Sequence, residues 1–357
     1  MAGTVIPKDK MSSKERVAAF LSGKPMDRIP VAPLLLNHPA RVLGVPIKKT
    51  NTDGQLLGKA HVAAYRKYGQ DFITILTCTA NISEAMGAKL IFPDDDVAML
   101  GEPGMKSLAE VDDLRPADPY KDGRLPLYLE ATELAVREVG NEVFVITLPA
   151  GPFTVASQLR GVDSFMLELL KDPERIHKLL DVCTQSIINF IDAIVKVGGV
   201  PCLAEPCASG SLISKKIFQE FDVPCLKRIV ERVHGYGLPA LMHICGKSMP
   251  VIEPWLSTGP DLISVDWPCD IGWFADNYGD RCAVLGNVVP SETIYQGTPA
   301  KVQDEARRCI EKGARVRKGF ILGSGCEVPV NSPPENIQAL VDAARIYGQD
   351  WPRTSPH

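Results

Sequence analysis

Eight short, almost unbroken apolar runs punctuate the chain: IPVAPLLL (29–36), DFITIL (71–76), VFVITL (143–148), VPCLAE (200–205), PALMHI (239–244), LISVDW (262–267), CAVLGN (282–287) and GFILGS (319–324). A strand with one wet face alternates apolar and polar residues. Continuous hydrophobicity marks strands covered on both faces, as in a parallel sheet flanked by helices. Helical patterns separate the runs, and eight such repeats indicate a (β/α)8 barrel in preference to a doubly wound sheet. All 357 residues, 1–357, are read as one barrel domain, a comfortable length for this fold with insertions. Residues 1–27 are an N-terminal helical extension, because Ser12 and Glu15 are spaced as a capping box ahead of a helical pattern. The gap between runs two and three, 77–142, holds a long insertion expected to be helical.

Helix boundaries are legible as well. Thr298 and Pro299 open a helix that Gly313 stops, with Val302, Ala306 and Ile310 on its buried stripe. The longest helix is expected over 173–197, burying Ile176, Leu180, Cys183, Ile187 and Ile191. Ser332, Pro333 and Glu335 read as a capping box for the last helix, which ends near Gly348.

A net charge of −4 without a Lys/Arg cluster speaks against a nucleic-acid partner. No apolar run reaches the roughly 18 residues a bilayer span needs. The start, MAGTVIPKDKMSSKERVAAF, has no apolar core or small-residue cleavage site of a secretory signal. The expected compartment is the cytoplasm. There the ten cysteines stay reduced, and most serve as small buried hydrophobes.

In such a barrel the active site is built from strand ends at the carboxyl-terminal face. Glu205 ends run four, His243 and Cys245 end run five, Asp266 ends run six, Asn287 ends run seven, and Cys326 follows run eight. One imidazole and two thiolates form a borderline-soft set that suits Zn2+ better than Mg2+ or Ca2+. Three protein ligands leave the fourth position open, as in catalytic zinc sites, and the Cys-x-x-Cys pair of common structural sites is absent. The competing reading of His243, Cys245 and Cys326 is a satisfied core histidine and two buried thiols. Glu205 and Asp266 either supply an oxygen ligand that substrate displaces or accept loop N–H bonds. Asn287 orients substrate or bridges loops. Gly246, Gly323 and Gly325 are read as tight-turn residues.

The stretches DRIPVAP (27–33), SEAMGAKLIFPDDD (83–96), GPFTVASQL (151–159), LISKKIFQEF (212–221), HICG (243–246), LGNVVP (285–290) and GCEVPVNSPPENIQALVDAAR (325–345) resemble the uroporphyrinogen decarboxylase superfamily in order along the chain. The resemblance implies a TIM barrel. The decarboxylase branch holds an acidic tetrapyrrole with an arginine-rich N-terminal segment and an aspartate. Here those regions read VAPLLLNHPARVLG (31–44) and ITILTCTANISEAMG (73–87), without paired arginines and with no carboxylate before Glu84. The other branch, the corrinoid-linked methyltransferases, carries zinc on an H-x-C…C motif that His243, Cys245 and Cys326 match. Cobalamin-independent methionine synthase adds a glutamate after the next strand, where this chain has Asp266.

The resemblance thus implies a zinc-dependent methyltransferase with two directions open. A methyl group passes from a methyl ether to a corrinoid, as in O-demethylation, or from a methyl-corrinoid to a thiol such as coenzyme M. None of the six histidines lies in the D-x-H-x-x-G signature of corrinoid-carrying domains. The corrinoid is therefore expected on a partner protein docking over the barrel mouth, with 77–142 and the N-terminal cap as candidate surfaces. The alternatives are a uroporphyrinogen-type decarboxylase and a non-catalytic metal- or tetrapyrrole-binding barrel.

Overall fold

In the computed structural model, which describes residues 6–351, each of the eight runs forms a strand. They are β1 (Val31–Leu34), β2 (Phe72–Ile75), β3 (Phe144–Thr147), β4 (Val200–Ala204), β5 (Leu241–Ile244), β6 (Leu262–Val265), β7 (Ala283–Val288) and β8 (Phe320–Glu327). Neighbours are parallel throughout, in the order β1-β8-β7-β6-β5-β4-β3-β2. The remaining seam lies between β1 and β2. There the Asp71 N–H donates to the Val31 carbonyl at 2.8 Å, and the Asp71 carboxylate accepts the Val31 N–H at 2.7 Å. Strands β1, β2, β5, β6 and β7 are buried at every position, the physical cause of their unbroken hydrophobicity. The fold is a (β/α)8 barrel.

The outer helices that bear on the site or on the sequence reading are α1 (Ser13–Leu21), α2 (Pro152–Arg160), α3 (Pro173–Lys196), α4 (Pro299–Gly313) and α5 (Pro334–Tyr347). Helix α3 buries all five residues of the expected stripe, and α4 is capped by the Thr298 hydroxyl, which accepts the Lys301 N–H. Helix α5 ends at Gly348 but begins one residue later than the sequence suggests. Pro333 occupies the N-cap with no side-chain hydrogen bond, and the Ser332 hydroxyl has no partner among the described residues. Two successive prolines move the start of the helix past the serine, so the expected capping box does not form.

The box at Ser12 does form, with Glu15 reciprocating, and starts α1. Helix α1 seals the amino-terminal end of the barrel. Its Lys14 N–H donates to Glu142 O just before β3, and Phe20 packs against Gly319 just before β8. The extension also includes a short strand, Met26–Arg28, paired antiparallel with Gln349–Trp351; residues 1–5 lie outside the described part. Because the strand-end residues face the other way, the N-terminal cap is not a docking surface over the mouth. The insertion 77–142 is helical only in part. Helices Asn81–Ala85 and Leu125–Val139 flank an antiparallel hairpin, Lys89–Ile91 with Met99–Glu102, turned by PDDD. No described helix is long and apolar enough to cross a membrane.

Candidate metal centre

Sheet register decides which strand-end side chains meet. In the parallel ladder β4-β5-β6, Ala204 lies beside His243 and His243 beside Ser264. His243 and Ser264 line a cavity of about 30 Å3 inside the barrel, with Ile146, Leu148, Met242 and Leu285 among its walls. The chain turns after β5 at Gly246, whose φ of +68° favours glycine, and leaves Cys245 at the strand end. Cys326 arrives from β8 as the next-to-last residue of that strand.

The three potential ligands converge. His243 Nε2 is 3.1 Å from Cys245 Sγ, and Cys245 Sγ is 3.4 Å from Cys326 Sγ. All three ligand atoms lie within 4.8 Å of one another, with the imidazole buried and both thiols half-buried. The thiols share a proton unequally. The hydrogen bond from Cys245 pushes the Cys326 thiol down to about 4, helped by His243 and opposed by burial. The same bond, then burial and the negative charge of Cys326, hold Cys245 far above the ordinary thiol range. Two sulfurs and one imidazole nitrogen converging in this way fit zinc by donor chemistry.

Asp266 stands next to this group, and both of its oxygens are engaged. Oδ2 accepts the Gly246 N–H at 2.8 Å and Oδ1 accepts the Trp267 N–H at 2.7 Å. Burial raises its pKa against the pull of those two donors. Asn287 donates from Nδ2 to the carbonyls of Asp266 at 3.0 Å and Cys269 at 2.6 Å, holding the loop after β6. Gly325 lies under that loop. A Cβ there would stand 2.6 Å from Trp267 N and 2.8 Å from Asp266 Oδ1, so Gly323 and Gly325 serve close packing within β8 rather than turns.

The Glu205 carboxyl lies at the amino end of α2, where Oε1 accepts the Thr154 N–H at 2.8 Å and Oε2 has no hydrogen-bond partner among the described residues. Burial, then the nearby Asp222 carboxyl, raises its pKa well above the carboxylate range. Asp222 is itself pushed up to about 8 by burial. The structure thus brings His243, Cys245 and Cys326 together with Asp266 alongside, and sets Asn287 on β7 and Glu205 just after β4. Sequence reasoning missed Ser264, whose Oγ is 2.9 Å from His243 Nδ1. It is one of four residues in an apolar strand, and only its register against His243 singles it out.

Residues 12–347 match the family model described as uroporphyrinogen decarboxylase (URO-D). A methylcobamide:CoM methyltransferase of Methanosarcina barkeri is 30% identical over 345 residues, 94% of this chain and 98% of that protein. A uroporphyrinogen decarboxylase of a Synechococcus strain is 31% identical over 254 residues, 69% of this chain and 70% of its own length. Among solved structures, a methyltransferase from Methanosarcina mazei superposes with a TM-score of 0.86 at 27% identity, covering 94% of this chain and 98% of the other.

Proposed function

The chain belongs to the uroporphyrinogen decarboxylase family, and from that premise we propose that it is a corrinoid-linked methyltransferase carrying zinc on His243, Cys245 and Cys326. The observation that carries this reading is the convergence of those three ligand atoms within 4.8 Å at the carboxyl end of the barrel. The decarboxylase branch of the resemblance uses arginines and an aspartate in place of such a group. The methyl group moves between a separate corrinoid protein and a small substrate, for which a thiol acceptor such as coenzyme M is favoured by the similarity to the M. barkeri enzyme.

Bound to these residues, zinc supplies the Lewis acidity that strips the proton from a thiol and keeps it a thiolate near neutral pH. The chain's own contribution is alignment. His243 and the two cysteines fix where the substrate sulfur sits, and Asp266, through Gly246 N–H, holds the turn that follows Cys245. Methyl transfer to that sulfur would be an in-line displacement at the methyl carbon, with the corrinoid departing with the electron pair of the broken bond. Such a transfer depends on positioning more than on a general acid or base. Ten free cysteines accord with a reducing cytoplasm as the working compartment.

The test is metal analysis of the purified chain, followed by methyl transfer with free methylcobalamin. About one zinc per chain and methylation of one member of a thiol panel are expected, consistent with a three-ligand site. A panel of aryl methyl ethers assayed with Co(I) corrinoid reads the reverse direction. Full activity without metal, or decarboxylation of uroporphyrinogen, would overturn the proposal.

A further inference from the structure

We propose that Ser264 determines which nitrogen of His243 is free to bind the metal, a positioning role that rests on the zinc reading above. Ser264 lies on β6 directly beside His243 in the ladder, with 7% of its surface exposed. Its neighbours around the interior cavity include Ile146, Leu148, Met242 and Leu285, so a hydroxyl there is costly unless it is hydrogen-bonded. An apolar side chain would be the default at such a position. The hydroxyl instead meets Nδ1 at 2.9 Å, while Nε2 faces the two thiols.

A neutral imidazole carries one N–H. For the Nε2 lone pair to reach a cation, the proton must sit on Nδ1, where the Ser264 oxygen accepts it. In the other tautomer the proton on Nε2 faces the Cys245 sulfur at 3.1 Å, and the Ser264 hydroxyl donates to Nδ1 instead. A hydroxyl serves both states by rotating about its C–O bond. An ionised carboxylate would stabilise only the metal-loaded tautomer, and alanine neither. Ser264 thereby holds the ring in one position while its proton changes nitrogen, and the strand register fixes the distance.

The test uses the full-length chain with zinc alone as the probe, comparing wild type with Ser264→Ala and Ser264→Thr by chelator competition. Partners of a metal-binding histidine typically control affinity about 10–100-fold, and a loss of that size is expected for Ser264→Ala. Ser264→Thr keeps the hydroxyl and should recover most of the affinity. Metal-free Ser264→Ala should still fold, with its melting temperature lowered only by the loss of one buried hydrogen bond, and metal-free Ser264→Thr should unfold close to wild type. Long-range 1H–15N NMR of zinc-loaded wild type should place the His243 proton on Nδ1. Unchanged zinc affinity in Ser264→Ala, or a loss that follows lowered metal-free stability in both variants, would overturn the proposal. A wild type that binds no zinc would remove the metal centre and this role together. A zinc-binding wild type that transfers no methyl group would sink the function and leave the Ser264 result standing.

Discussion

The two ends of the barrel each hold a cluster of polar side chains, and the clusters differ in whether they are self-sufficient. At the amino-terminal end, Arg16 and Arg28 are almost fully buried and face Asp9, Asp27 and Asp71. Arg16 bonds Asp27 at 2.7 Å and Asp71 at 2.6 Å, while Arg28 bonds Asp9 at 2.7 Å and Asp71 at 2.6 Å. Asp71 also closes the β1–β2 seam. At the carboxyl-terminal end, three metal-type donors converge. A buried cluster that answers its own charges holds the fold. On the zinc reading above, one whose donors face each other is completed by a metal ion.

The sharpest way to break this comparison is to remove a thiol. Cys245→Ala and Cys326→Ala should each weaken zinc binding more than about a hundredfold, beyond the range that second-layer partners control, and should abolish methyl transfer. Metal-free stability should change little, because neither thiol is part of the strand interiors that hold the barrel. Inductively coupled plasma analysis and calorimetry on the same samples check both halves. Full zinc retention in either variant would remove that cysteine from the ligand set.

The opposite substitution belongs at the other end. Arg28→Ala leaves Asp71, fully buried, with one cation fewer. Breaking a buried ion pair from one side costs about 3–5 kcal/mol, which denaturant titration reads directly. Zinc bound per folded molecule should not change. A loss of zinc without a loss of stability would show the two ends to be coupled and the contrast to be false.

These two clusters were unequally visible in the amino-acid sequence. His243, Cys245 and Cys326 were legible because each closes an apolar run, and barrel geometry brings strand ends together. Asp27 and Arg28 sit in the DRIPVAP stretch, yet nothing local shows that their partners are Arg16, Asp9 and Asp71. Those contacts appear only when the seam closes. Ser264 was hidden for the same reason, since register against β5 is a property of the sheet. The later start of α5 has a different cause. Ser332 and Glu335 have the spacing of a capping box, but Pro334 pushes Pro333 out of the helical region, so Pro333 takes the N-cap and Ser332 falls outside the helix.

A third, weaker cluster lies between the extremes. Asp222 and Glu205 are buried together, with three carboxyl oxygens lacking hydrogen-bond partners among the described residues. Burial raises Asp222 from 3.8 to about 8, so its proton is held more tightly in the folded chain than in the unfolded one. That stability is fully present below about 4 and is lost as pH climbs through about 8. Asp222→Asn cannot ionise. Its melting temperature relative to wild type should therefore rise between pH 5 and pH 8.5. A difference that stays constant with pH would show that Asp222 does not titrate across this range.

The smallest effect is expected at Asp266, which sits beside the metal group but bonds backbone amides with both oxygens. Asp266→Asn keeps one acceptor and turns an NH2 toward the other amide, so one hydrogen bond is lost. Such a loss is worth about 1–3 kcal/mol when a charged group is involved. Its consequence for zinc is indirect, through the turn at Gly246 that follows Cys245, and should be a few-fold loss of affinity. If the carboxylate instead filled the fourth metal position until substrate displaced it, the substitution would change the metal's own ligand set. X-ray absorption on zinc-loaded wild type and Asp266→Asn, both without substrate, separates the two. An unchanged shell of one nitrogen, two sulfurs and one light atom leaves Asp266 as the tie of the loop. Loss or replacement of an oxygen scatterer would move it into the ligand set and give the metal end a charge of its own to answer.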